Sequence, residues 1–156
     1  MNLQDVTSVK RNLLHGILII TSGYAGLVMK KLKHKHFYDE VYRKHYVFLL
    51  NVKTDKQVQD ILKKNYPETY KIYKLTEDVS IEDCGGRSIQ SEHRQIIIVR
   101  HMGKYNAPYW YSCLSHECLH AVMSTFEFTG VVYDTKSNNE HFTYYLESLI
   151  RIALEK

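Results

Sequence analysis

The pattern of apolar positions predicts a small set of β-strands. Residues 95–100 (Q-I-I-I-V-R) give the strongest strand signal, and residues 46–52 (Y-V-F-L-L-N-V) have the same β-forming character. Apolar and polar residues alternate at residues 70–75 (Y-K-I-Y-K-L), which favours a half-buried strand. The apolar run at residues 14–21 fits a buried strand or a buried helix. Strands therefore dominate the first two thirds of the chain, with a turn expected at residues 83–87.

Helical periodicity and capping residues predict the remaining elements. A helix is expected from the cap at Thr54 or Asp55 to about residue 65, and a shorter one at residues 5–12. A long helix is expected at about residues 107–128, before the C-terminal Gly130. The last helix is expected at about residues 138–154. Strands followed by two C-terminal helices are typical of an α+β fold.

Composition indicates one globular domain that spans residues 1–156. The chain is 44% hydrophobic and 24% charged, and it contains no repeat and no linker-like segment. Its net charge of +4 permits contact with nucleic acid without arguing for it. The basic run at residues 30–36 (K-K-L-K-H-K-H) fits a solvated surface or a patch for a nucleic-acid or acidic partner.

The cysteines and the N-terminal apolar stretch bear on location. Cys84, Cys113 and Cys118 form no C-x-x-C pair, so we expect no disulfide framework and a reducing compartment. We interpret Cys113 and Cys118 as small buried apolar residues. Residues 13–29 are too short and too interrupted, by His15 and Gly16, to predict a membrane span or a signal peptide. A cytoplasmic protein without a membrane anchor is expected.

The segment S-H-E-C-L-H-A-V at residues 115–122 carries the candidate chemistry. His116 and His120 lie four residues apart, so both fall on one face of the predicted helix and can converge on one ion. Zinc binds neutral imidazole nitrogen and lowers the pKa of water toward neutrality. Glu117, about 100° around the helix from His116, is placed to act as a general base. The alternative is an ordinary amphipathic helix with two rim histidines and a surface glutamate.

Together with the later pair Asn139-Glu140, the motif resembles the gluzincin metallopeptidases, the thermolysin-like clan. Glu140 lies twenty positions after His120, the spacing at which that clan places its glutamate ligand on the following helix. The resemblance implies a Zn²⁺ site formed by His116, His120 and Glu140, with Glu117 as catalytic base. The metzincin pattern is excluded, because it requires glycine and histidine where this chain has Met123 and Phe126.

Two further segments extend the resemblance. The strand at residues 95–100 resembles the edge strand on which that clan binds an extended substrate by β-augmentation. The block E-H-F-T-Y-Y-L at residues 140–146 is similar to short phage-type H-E-x-x-H proteins described as metallopeptidases. The resemblance covers about the last third of the chain, and residues 1–93 match no pattern.

Several assignments stay open at this point. Glu140 also completes a capping box with Ser137, and His141 is the alternative third ligand. Tyr144 stands where larger thermolysin-like enzymes have an aspartate that orients a ligand histidine. The residues considered for stabilising an oxyanion are Tyr133, Tyr144, Tyr145 and His141.

Two functions follow as hypotheses. The first is zinc-dependent hydrolysis of a peptide or protein substrate, which fits the H-E-x-x-H spacing. The second is a non-catalytic module that retains zinc or a vestige of its site and binds a protein or nucleic-acid partner, as the basic run and the 13 tyrosines suggest. A purely structural zinc is disfavoured, because it needs a fourth protein ligand and His141 and Cys113 are poorly placed to supply one.

Overall fold

The computed structural model describes residues 31–75, 80–103, 106–132, 134 and 139–155. The predicted elements at residues 5–12 and 14–21 lie outside these ranges. The described chain forms a four-stranded sheet with helices on both faces, which confirms the α+β class. The strands are β1 (Lys33–Asp39), β2 (Lys44–Val52), β3 (Gly86–Ser91) and β4 (Arg94–Arg100). The helices are α1 (Asp55–Asn65), α2 (Pro67–Leu75), α3 (Ile81–Cys84), α4 (Ala107–Thr129) and α5 (Asn139–Leu154).

The sheet has the strand order β1-β2-β4-β3. β1 and β2 pair antiparallel, β2 and β4 parallel, and β3 and β4 antiparallel. The strands predicted at residues 46–52 and 95–100 are confirmed as β2 and β4. The expectation that residues 95–100 form an edge strand is wrong, because β4 lies between β2 and β3 and is covered on both faces. The continuous apolar run of β4 is typical of a strand that is buried on both faces. The edge strand next to α4 is β3.

Alternate residues of the two central strands enter two separate cores. One core lies beneath α4 and α5 and includes Tyr46, Phe48, Leu50, Ile97 and Val99. The other lies beneath α1, α2 and α3 and includes Val47, Leu49, Ile96 and Ile98. Each of these side chains is at most 2% exposed, and burying one such side chain contributes about 1.5–3 kcal/mol. The sheet therefore positions α4 beside β3.

Residues 70–75, predicted as a strand, belong to helix α2. Pro67 begins this helix instead of merely ending the one before it, because the fixed φ of proline suits the first helical position. Thr69 and Tyr73, four residues apart, are the buried positions. A six-residue segment is short enough for its apolar residues to fit both periodicities, and the tertiary contacts select the helix.

The second half of the basic run forms the start of strand β1, which no sequence pattern predicted. His34 and His36 point to one face of the sheet and Lys33 and Lys35 to the other. The Lys35 ammonium donates to the carbonyl oxygens of Ile152, at 2.9 Å, and Glu155. These carbonyls lie at the C-terminal end of α5, where a positive charge is favourable.

The long helix α4 has the predicted extent and ends at the left-handed Gly130, whose N–H reaches the carbonyls of Phe126 and Glu127. The described part of the last helix, α5, begins at Asn139, and its predicted start at residue 138 lies outside the described residues. Among the described residues, no helix is long and apolar enough to cross a membrane.

Candidate active site

Helix α4 places His116 and His120 side by side on its exposed surface, next to β3. Their Nε2 atoms are 3.0 Å apart and their ring centroids 4.6 Å apart. Two imidazole ligands on one tetrahedral Zn²⁺ at 2.0–2.1 Å have nitrogens about 3.4 Å apart. The pair therefore fits a shared ion, and both rings are open to solvent on the cleft side.

Glu117 is buried, whereas His116 and His120 on the same helix are exposed. Its side chain turns beneath β3 and the residue is only 6% exposed. Burial raises the pKa of its carboxyl to about 7, against a smaller lowering by the positive charge of Arg87. A carboxyl group with a pKa near neutrality can both accept and return a proton at physiological pH.

Gly86 makes room for this carboxyl. A Cβ atom on Gly86 would lie 2.7 Å from Cγ and 2.9 Å from Oε1 of Glu117. Contacts this short require one of the two residues to move. The sequence pattern predicted a turn at Gly85 and Gly86, whereas Gly85 caps α3 with a φ of 76° and Gly86 begins β3. A glycine within a strand often indicates that another group packs closely against the backbone, as Glu117 does at Gly86.

We expect Gly86→Ala to displace Glu117 and to lower the free energy of unfolding by about 1–3 kcal/mol, as overpacked buried sites do. Chemical denaturation measures this loss. The loss should largely disappear when Glu117→Ala is introduced together with Gly86→Ala, because the clashing atoms are then absent. Equal losses in the two backgrounds would show that Gly86 does not act through Glu117.

A cleft of about 480 Å³ opens between β3 and α4. Its wall is formed by Cys84, Gly86, Arg87, Ser88, Gln90, Gln95, His116, Glu117, His120 and Ser124. The Gln95 side chain is buried, and its Nε2 donates to Ser88 Oγ at 2.6 Å. Its Oε1 has no hydrogen-bond partner within the described structure. The wall of the cleft therefore contains a buried acceptor that lacks a hydrogen-bond partner.

Arg87 lines this cleft and carries a positive charge, and no sequence pattern pointed to it. Its guanidinium carbon lies 4.7 Å above the ring centroid of Tyr73, so α2 supports it from the other side of β3. Its charge partly offsets the increase in the pKa of Glu117 that burial causes. An arginine following two glycines carries no pattern that identifies a site, because its role depends on the pairing of β3 with β4.

The predicted third ligand does not join the histidines in this structure. Glu140 is exposed in the first turn of α5. Within the described ranges, no group of three or more His, Cys, Asp and Glu side chains lies close enough to hold a metal ion. His141 lies elsewhere, with Nε2 2.9 Å from the Tyr42 hydroxyl and its ring against Phe126. Ser137, the partner in the predicted capping box, is outside the described residues.

The tyrosines considered for oxyanion stabilisation are also placed. Tyr145 lies in a buried hydroxyl network, 2.8 Å from Asp39 Oδ2 and 2.7 Å from the Tyr46 hydroxyl, which in turn lies 2.6 Å from Thr125 Oγ1. Burial, followed by the neighbouring Tyr46, raises the pKa of Tyr145. Tyr144 is exposed, and Tyr133 is outside the described residues. The network ties α4 and α5 to the sheet, so Tyr145 has a structural role.

The three cysteines are free, which confirms the expectation of no disulfide. Cys113 and Cys118 are buried as predicted, while Cys84 lines the cleft. Comparisons with protein-family models, with curated protein sequences and with solved structures find no match to this chain. The chemistry of the cleft is therefore the basis on which a function is inferred.

Proposed function

We propose that this protein is a zinc-dependent peptidase, with His116, His120 and Glu140 as metal ligands and Glu117 as general base. The observation that carries the proposal is the convergence of two imidazole Nε2 atoms, 3.0 Å apart, beside a buried carboxyl with a pKa of about 7. Zn²⁺ held by these ligands would supply Lewis acidity toward a carbonyl oxygen and lower the pKa of water. Glu140 is included for its spacing from His120 and its exposed carboxylate.

The proton transfers belong to Glu117. As carboxylate it removes a proton from the attacking water while the water oxygen bonds to the carbonyl carbon of the substrate. It then returns that proton to the leaving nitrogen as the C–N bond breaks, so no net proton is consumed by the enzyme. Burial beneath β3 keeps bulk water from competing for the carboxyl, and the positive charge of Arg87 acts on that carboxyl.

An extended peptide is the substrate shape that the cleft suits. β3 forms the edge of the sheet in the described chain, so one side of its backbone is not engaged by another strand. A substrate strand that pairs with this side would run along the cleft that His116 and His120 line. Substrate recognition is therefore proposed to involve β3, in place of the strand at residues 95–100 that the sequence indicated.

The test is hydrolysis of a quenched fluorescent peptide library by purified protein of measured metal content. We expect about one zinc per chain by mass spectrometry, loss of cleavage after chelation and recovery on adding Zn²⁺. Glu140→Gln should weaken zinc binding by at least about tenfold, while the exposed Glu147→Gln on the same helix leaves it unchanged. No zinc binding, or cleavage that survives complete chelation, would overturn the proposal. Equal zinc affinity in the two variants would exclude Glu140 as the third ligand.

A further inference from the structure

A second convergence of donor atoms lies at the other edge of the sheet. The Tyr66 hydroxyl is 2.6 Å from Nε2 of His34 and 3.1 Å from Nε2 of His36. The two imidazole rings are 4.6 Å apart between centroids. Both histidines are exposed, whereas Tyr66 is only 5% exposed. Three side chains therefore direct nitrogen and oxygen donors to one point at the protein surface.

Local structure fixes this arrangement. His34 and His36 are two residues apart on β1, so their side chains stand on the same face of the strand. Backbone pairing with Leu49 and Val47 of β2 holds both positions. Tyr66 lies between α1 and α2, and its N–H donates to the carbonyl of Leu62 at 2.7 Å. Each donor thus comes from a backbone segment that is anchored independently of the other side chains.

The hydrogen bonds between Tyr66 and the two histidines do not use every lone pair in the cluster. The phenol carries one proton, so it can donate to one imidazole and accept from the other, which leaves the second lone pair of the phenol oxygen outside these two hydrogen bonds. Imidazole nitrogen and phenolate oxygen are both good donors to divalent transition metals, and such ions follow the order in which Cu²⁺ binds most tightly. Lys33 and Lys35 face away from the cluster, whereas the guanidinium carbon of Arg94 lies 4.9 Å from the centroid of the Tyr66 ring.

We propose that His34, His36 and Tyr66 form a second metal site, for a divalent transition metal with Cu²⁺ bound in preference to Ni²⁺ and Zn²⁺. Binding displaces the proton of the Tyr66 hydroxyl, so one proton is released for each ion that the site takes up at a pH where the histidines are neutral. The imidazoles supply two nitrogens and the phenolate one oxygen. Water occupies the remaining positions on the exposed side.

This site is independent of the cleft between β3 and α4. β1 and β3 are the two opposite edges of the sheet, three strand spacings apart, which corresponds to about 14 Å. His34 and His36 face the side of the sheet that α1 and α2 cover, whereas α4 covers the other side. The two sites share no residue, so either one can be removed without altering the ligands of the other.

The test uses Cu²⁺ as the probe, on the full chain carrying His116→Ala and His120→Ala so that the first histidine pair is absent. Calorimetric titration should still show about one Cu²⁺ per chain. His36→Ala in this background should weaken that binding at least about tenfold. The exposed His93→Ala is the matched control and should leave the affinity unchanged. Thermal unfolding of each variant in chelator confirms that the substitutions, all at exposed positions, leave the fold intact.

The phenolate donor has its own readout. Copper bound to Tyr66 should give a visible phenolate-to-copper charge-transfer band that is absent in Tyr66→Phe, together with release of one proton per ion in an unbuffered titration. Binding that is unaffected by His36→Ala, or weakened equally by His93→Ala, would overturn the site. A spectrum without the charge-transfer band in the otherwise unaltered chain would overturn it as well. None of these results depends on whether the cleft hydrolyses peptides.

Discussion

Glu117→Gln is expected to reduce kcat for peptide cleavage by about 10³-fold while the protein retains its zinc. The amide has nearly the shape of the carboxyl and keeps its place against Gly86, but it cannot accept a proton from the attacking water. The buried position sharpens this expectation, because Glu117 is only 6% exposed and bulk water cannot easily deliver another base to the same point. KM should change little, because the substituted group takes part in proton transfer more than in substrate binding.

The matched control is Glu127→Gln, ten residues further along the same helix and exposed to solvent. This variant loses the same charge from α4 and should retain the activity of the unaltered protein. Metal content, measured on each preparation, separates a loss of chemistry from a loss of zinc. Cleavage by Glu117→Gln at an undiminished rate would remove the general base from the proposal and leave the cleft as a binding site.

The second large effect is on stability, and it concerns the metal-free protein. The pKa of Glu117 is about 7 in the folded chain and near its ordinary value of 4.5 when unfolded. The folded state therefore binds more protons than the unfolded state between these two values, and the free energy of unfolding falls as pH rises through this window. At about 1.4 kcal/mol per pH unit, the loss contributed by this one carboxyl approaches ~3 kcal/mol above pH 7.

Urea denaturation in chelator at pH 5 and pH 8 measures this contribution when the protein is compared with Glu117→Gln. The two should be nearly equally stable at pH 5, where Glu117 is largely protonated. At pH 8 the glutamine variant should be the more stable one, because it buries no charge. Parallel pH profiles for the two proteins would mean that Glu117 ionises freely in the folded state. A cost of this kind in stability is common where a residue is selected for function instead of folding.

Parts of this architecture could be predicted from the sequence because their signals are local. β2 and β4 are buried on both faces, so their apolar runs are unmistakable, and α4 and α5 carry enough turns for helical periodicity to emerge. The spacing of His116, Glu117 and His120 on one helix is also local, so the pairing of the two imidazoles could be predicted.

The remaining features depend on contacts between distant segments. β1 is rich in lysine and histidine and becomes a strand only through pairing with β2. β3 is short and polar, and its place beside α4 follows from its pairing with β4. Gly86 and Arg87 enter the cleft through that same pairing. The position of Glu140 relative to the histidines depends on the connection between α4 and α5, for which helix periodicity carries no information.

The link from Lys35 to the end of α5 has a consequence for biosynthesis. The ammonium group and its two carbonyl acceptors are 117 and 120 residues apart in the chain. During translation β1 is made more than a hundred residues before the helix end that it holds. β2 and β4 pair in parallel although a long segment of chain separates them. The nascent chain therefore cannot complete the sheet, or the helices that cover it, one element after another. We therefore expect the half of the fold that carries His116 and His120 to become protected from proteases only after α5 has left the ribosome.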